Sequence, residues 1–307
     1  MVELTAPAEP QRIPVLESIR NKDIGWRFHF AMLGGCTFLL LIIFACSIKA
    51  PVADWEPKIE VASVVAIVSA IPAMLWHDRK EYVRRDAALA LPWIFILMIL
   101  LPVAAVLSAQ LQFPLRDALF VKVDLALGFN DPAIVAWCTK HWLVGDVLDH
   151  SYSLLVPLLA SAILLPALLG KAEAAQKFVL ANTIAFIGSF PLFALLPAVG
   201  PWYGFHFPAN EPQIVAETAI VALHSGAPAS QLAGVLTFPS FHVIWAALSA
   251  LALCSVRRFR VFAVVIAVLV VVSTVTTGWH YAADLVAGLI VAGLSWLLAD
   301  LIISGSL

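Results

Sequence analysis

The sequence predicts an all-α integral membrane protein with about eight transmembrane helices. Composition is the first reason. Of 307 residues, 62% are apolar and only 12% charged, whereas an ordinary soluble domain carries roughly 25% charged residues. A water-soluble fold of this length could not hide so much apolar side chain, because its surface must still be wetted. The second reason is that the apolar residues fall into runs close to the roughly 20 residues a spanning helix needs. The third is that Lys and Arg collect in alternate connecting segments. The formal charge of −2 says little by itself, and with no basic tail or stripe of the kind that engages nucleic acid, no nucleic-acid partner is expected.

Residues 1–27 are polar, hold Arg12, Arg20, Lys22 and Arg27, and read as a cytoplasmic N-terminal segment. No short apolar stretch with a cleavage site precedes the first apolar run, which is expected to be an uncleaved anchor. Runs at 28–48, 60–76 and 88–109 make up three N-terminal spans, residues 28–109. Residues 110–149 mix apolar and charged positions, as in Leu115-Arg116-Asp117-Ala118-Leu119-Phe120. They are expected to form helices at the outer interface between spans three and four. The remainder, 150–307, holds runs at 150–170, 174–197, 241–256, 259–279 and 281–304, with Arg257, Arg258 and Arg260 closing the third of these.

With the N-terminus inside, thirteen of the 18 Lys and Arg residues fall in cytoplasmic segments. The outer segments hold Lys49, Lys58, Arg116, Lys122 and Lys140. Both termini are therefore expected in the cytoplasm, and the 198–240 loop and 279–281 turn on the outer face. Cys36, Cys46, Cys138 and Cys254 lack metal-ligand spacing and read as small core residues.

Ionisable groups within or beside a membrane segment are costly, which makes them candidates for function. Two clusters stand out: Phe238-Pro239-Ser240-Phe241-His242 at the start of one span, and Gly278-Trp279-His280-Tyr281-Ala282-Ala283-Asp284 between the last two. His280 and Asp284 are four residues apart, which on a helix places them on one face. The carboxylate can fix the imidazole tautomer and present the other ring nitrogen as base or nucleophile; a buried polar pair that locks two helices gives the same spacing. Pro239 and Ser240 suit a helix start, where free N–H groups favour an anion. The charge bias used neither cluster, yet it puts both on the outer face. Two histidines, a serine and an aspartate at one depth suit phosphoryl transfer.

At these residues the chain resembles the type 2 phosphatidic acid phosphatase superfamily. Pro239-Ser240-Phe241-His242 is similar to its Pro-Ser-Gly-His motif, and Ser273, His280 and Asp284 to its Ser-Arg-x5-His-x3-Asp motif. The resemblance implies a six-helix phosphatase-like membrane core. It also implies a phosphohistidine at His280 oriented by Asp284, with His242 as general acid and then base, Ser240 on phosphate oxygens, and no metal or cofactor. Two departures stand out. The motif arginine falls at Thr274, and residues 178–256 contain no Lys or Arg, so the first family motif has no counterpart. Phe190-Pro191 and Pro197-Ala198-Val199-Gly200-Pro201-Trp202 stand in its place, which is similar to the inositol phosphorylceramide synthase branch. Lost cations should cost a dianionic monoester more than a monoanionic diester, since each charged hydrogen bond is worth roughly 1.5–3 kcal/mol.

The expected activity is therefore transfer of a phospho-headgroup from a lipid phosphoester to a lipid alcohol at the outer leaflet, in a bacterial inner membrane. A lipid phosphate or diphosphate phosphatase and a transporter with a His/Asp relay are the alternatives. Phe241, Trp202, Tyr203 and His224 are further candidates for substrate contact. His141, Asp146, Asp149 and His150 lie close in sequence but fit no tight metal-ligand pattern.

Overall fold

The computed structural model describes residues 108, 109, 111–227 and 237–305. The 1–27 segment and the first three predicted spans lie outside these residues, apart from 108 and 109. Among the described residues every regular element is helical. The interfacial segment forms α1 (Asp117–Ala126), α2 (Asp131–Lys140) and α3 (Trp142–Ser153), and the last crosses the expected 149/150 boundary. Then come α4 (Leu155–Leu168), α5 (Ala172–Leu195), α6 (Pro201–Phe205) and α7 (Glu211–His224). The chain ends in α8 (Phe241–Leu253), α9 (Arg260–Thr276) and α10 (Ala282–Ser304).

Three helical segments are long and apolar enough to cross a membrane: Ala172–Leu195, Arg257–Thr276 and Ala282–Ser304. The span expected at 150–170 is instead a pair, α3 and α4, bent by 42°. Pro157 explains the break, because its ring crowds the carbonyl four residues back, at Ser153, where α3 stops. The span expected at 241–256 is a shorter apolar helix, Phe241–Leu253.

That short helix is the centre of the fold: α8 packs against α4, α5, α9 and α10. Apolar burial drives little helix association in lipid, so close backbone approach and tight packing must supply it. The interfaces are accordingly rich in small residues, with Ala246, Ala252, Ala292 and Ala299 all fully or almost fully buried. Gly288 shows how tight the contact is. A Cβ there would lie 2.9 Å from the Ser240 carbonyl oxygen and 3.1 Å from the Val243 Cβ. At the opposite end, Lys177 on α5 pairs with Asp300 on α10.

Candidate active site

The site forms where α8 begins and the turn between α9 and α10 passes it. Ser240 caps α8, its Oγ accepting from the Val243 amide at 3.4 Å. Its own N–H reaches the Asp284 carbonyl at 3.3 Å, which ties the two clusters together. The turn is held by Thr274, whose carbonyl accepts from both Trp279 and His280 amides at 3.1 Å. Gln213 of α7 braces it from outside, donating to the carbonyls of Thr277 and Gly278 at 3.2 and 3.3 Å.

His280 turns Nδ1 to Asp284 Oδ2 at 3.2 Å, and the same oxygen accepts the Tyr281 amide at 3.0 Å. The carboxylate therefore favours the tautomer with hydrogen on Nδ1 and leaves a lone pair on Nε2. His280 is only 4% exposed. Burial, aided by the neighbouring His242 ring, pushes its imidazole down to about 3, so it rests neutral. The His242 ring centroid is 5.6 Å from that of His280, within reach of one phosphoryl group between them.

Tyr152, from the end of α3, completes the surroundings. Its ring lies 4.3 Å from that of His242, and its hydroxyl is 3.4 Å from His242 Nδ1. Trp279 stacks on Tyr152 at 6.3 Å, and Trp202 meets Trp279 edge-on at 5.5 Å.

The structure thus brings together His242, His280, Asp284 and Ser240, with Trp202 linked to His242 through the rings of Trp279 and Tyr152. Trp202 is itself buried and donates Nε1 to Glu217 at 3.0 Å. Phe241 points into the apolar core against Phe186, Phe193 and Trp245. Tyr203 stands 36% exposed on α6. His224 turns Nδ1 to the Ile220 carbonyl at 3.0 Å and lines a small cavity with Thr237 and Phe238. His141 and His150 each point Nδ1 at a carbonyl of the preceding turn, 2.8 and 2.7 Å away.

Thr274, at the position of the motif arginine, is buried, and its hydroxyl bonds to the Val271 carbonyl at 2.7 Å. Ser273 likewise bonds back to Val270 at 2.6 Å. Arg116, Lys122 and Lys140, the described cations of the outer segment, are all exposed.

Sequence reasoning missed Tyr152 and three buried aspartates, Asp117, Asp124 and Asp131, of which the first two bond to the 281–283 segment beside His280. The aspartates left a signal: they recur every seventh residue in a largely apolar stretch, and unpaired carboxylates are not buried without reason.

Comparison with known proteins adds one finding. The sequence model of the PAP2 superfamily matches residues 118–298, more than half of the chain and the whole of the site. Members of that superfamily are phosphatases or phosphotransferases. No curated protein and no solved structure matches the chain. A helical membrane protein with paired histidines beside an aspartate, matched over this range, belongs to the PAP2 superfamily.

Proposed function

We propose that the chain is a lipid phosphotransferase that moves a phospho-headgroup between lipids at the outer membrane leaflet, through a phosphohistidine at His280. The observation that carries this reading is His280 held at Nδ1 by Asp284, beside His242. Nε2 attacks phosphorus of a lipid phosphodiester. A P–N bond forms, the P–O bond to the lipid alcohol breaks, and the leaving oxygen takes the electron pair and a proton from His242. His242, now neutral, accepts the proton of an incoming lipid alcohol. Its oxygen attacks phosphorus, the P–N bond breaks, and His280 regains its lone pair. Ser240 and the amides at the start of α8 bind phosphate oxygens. Trp202 and Trp279 wall the site on the outer side.

The choice of a diester rests on charge. Among the described residues no Lys or Arg forms a hydrogen bond with either histidine, and the position of the motif arginine is a buried threonine bonded to its own helix. A monoanionic diester needs less compensation than a dianionic monoester. This agrees with the likeness to the inositol phosphorylceramide synthase branch. Outer placement is supported by the basic cluster Arg257, Arg258 and Arg260 at the far end of α9 from His280. The same bias supports cytoplasmic termini; in a bacterial inner membrane, the setting we favour, the site would face the periplasm.

The test is headgroup release by purified protein, wild type beside His280→Ala, with chelator present. Substrates are phosphatidate, a polyprenyl diphosphate, phosphatidylinositol and phosphatidylethanolamine, each with and without diacylglycerol or ceramide. Acceptor-dependent release from a diester, lost in the variant, supports the proposal. Faster acceptor-independent cleavage of the monoester or diphosphate sinks it in favour of a phosphatase.

A further inference from the structure

The first amides of a helix have no partners within it, and a Ser, Thr, Asp or Asn just before the helix usually takes one of them. At the start of α10 that place is held by Tyr281. Its hydroxyl is turned elsewhere, 2.8 Å from both Asp117 Oδ1 and the Gly200 carbonyl oxygen. The acceptor comes instead from α1. Asp124, 0% exposed, grips the helix start with both oxygens. Oδ2 accepts the Ala282 amide at 2.7 Å and Oδ1 the Ala283 amide at 2.8 Å. These amides lie two and three residues after His280, and Asp284 follows them directly.

The same face of α1 reaches the other motif. Phe120, one turn before Asp124, has its ring 4.7 Å from that of Phe238 and 5.4 Å from that of Tyr281. Phe238 lies two residues before Ser240, and Tyr281 is the neighbour of His280. Asp117 accepts the Val199 and Gly200 amides at 3.0 Å, and the Arg116 amide donates to the Pro197 carbonyl at 2.7 Å. The loop so held accepts the Thr237 hydroxyl at the Ala198 and Val199 carbonyls, at 2.9 and 3.1 Å. Residues 117, 120 and 124, at helical spacing, thus bear on both histidine-carrying segments, though none enters the chemistry above.

We propose that Asp124 is a positioning residue for His280. Its carboxylate supplies the cap that fixes the start of α10, and with it the direction in which Asp284 holds the imidazole. It acts through the Ala282 and Ala283 amides, not on the substrate. Helix α1 thereby sets the spacing of the two histidines. Without the grip the first turn of α10 frays, Asp284 shifts, and His280 leaves the line of attack on phosphorus. The proposal rests on the reading of His280 as the nucleophile.

The experiment uses the full chain with Asp124→Asn, Ala282→Pro, the two combined, and Lys122→Gln as an exposed control on α1. Asparagine keeps the shape of the side chain but offers one acceptor oxygen to two amides. Proline suits the first position of a helix, and Tyr281, at φ −63° and ψ 151°, already has the conformation of a residue before proline. The ring replaces the amide hydrogen that Asp124 accepts, so the same contact is broken from the other side.

The first readout is amide hydrogen exchange of the 281–284 segment. Asp124→Asn should speed it about tenfold, the scale of one lost hydrogen bond, and Lys122→Gln should match wild type. The second readout is headgroup transfer. Each single variant should lose about 100-fold in kcat with KM unchanged, the scale of a slightly misplaced reacting group. The combined variant should be no slower than the slower single one, because both changes break one contact. Losses that multiply overturn the proposal, since they mark two separate structural defects. Faster exchange with wild-type kcat overturns it as well. So does wild-type exchange in Asp124→Asn, whether or not a lipid is turned over. Should Asp124→Asn not fold, Ala282→Pro carries both readouts through the 283 and 284 amides. A wild type inert toward every lipid, with the exchange difference intact, refutes the phosphotransferase reading and leaves the two-amide grip standing.

Discussion

Asp284→Asn tests the core of the site with little change of shape. Asp284 Oδ2 accepts both His280 Nδ1 and the Tyr281 amide, and an asparagine oxygen in the same place keeps both bonds and the same imidazole tautomer. What disappears is charge. Attack by Nε2 on phosphorus leaves positive charge on the imidazole, at a contact of 3.2 Å from the carboxylate oxygen. At an effective dielectric constant of about 20, that attraction is worth about 5 kcal/mol. The amide dipole restores part of it, so the net loss is about 3–4 kcal/mol, or about 10²–10³-fold in kcat/KM. Single-turnover headgroup release, with His280→Ala as the floor and gel filtration as the folding control, measures it. A variant within tenfold of wild type would refute the reasoning, because His280 would then form its intermediate without the buried carboxylate.

Tyr152→Phe removes one hydroxyl from His242 and keeps the ring contact at 4.3 Å; kcat should fall about 3–10-fold, the scale of one neutral hydrogen bond, with KM unchanged in steady-state assays. Gly288→Ala places a methyl 2.9 Å from the Ser240 carbonyl oxygen. Overpacking should cost about 1–3 kcal/mol, seen as a lower Tm in detergent, and kcat should fall too because Ser240 is displaced. Stability should also depend on pH through Asp131, which ordinarily titrates at 3.8 and is raised in the fold to about 7. Between those values the folded chain holds a proton that the unfolded chain has lost, so stability falls as pH rises through that window, by at most about 4 kcal/mol. Thermal unfolding of wild type and Asp131→Asn at both ends of the window should show the slope in wild type and its reduction in the variant.

The parts of this protein that were legible in its sequence are those governed by short-range pattern. Helices expected at 174–197, 259–279 and 281–304 lie within a few residues of their observed bounds, because length and apolarity set a spanning helix. Charge bias alone brought His242 and His280 to one face, and their rings lie 5.6 Å apart. The bend between α3 and α4 was less legible because the expected span began at His150, inside α3, and took in only the last turn of the helix that Pro157 interrupts. Tyr152 stayed hidden inside that span, since nothing local marks it as facing a histidine 90 residues away. The aspartate grip was hidden for a different reason. Its partners are backbone amides, which leave no mark in a sequence, although three carboxylates at a seven-residue interval were a hint.

The shortness of α8 bears on where a lipid must go. Thirteen residues rise about 20 Å, whereas the hydrocarbon layer is about 30 Å thick. In the proposed orientation, Arg257 and Arg258 lie among inner headgroups, and His242 at the other end is expected well beneath the outer phosphate plane. A reacting phosphate has to sink toward it, or the bilayer has to thin around the protein. Turnover should therefore rise as the acyl chains of the host membrane are shortened, and the surrounding lipid becomes part of the catalytic apparatus.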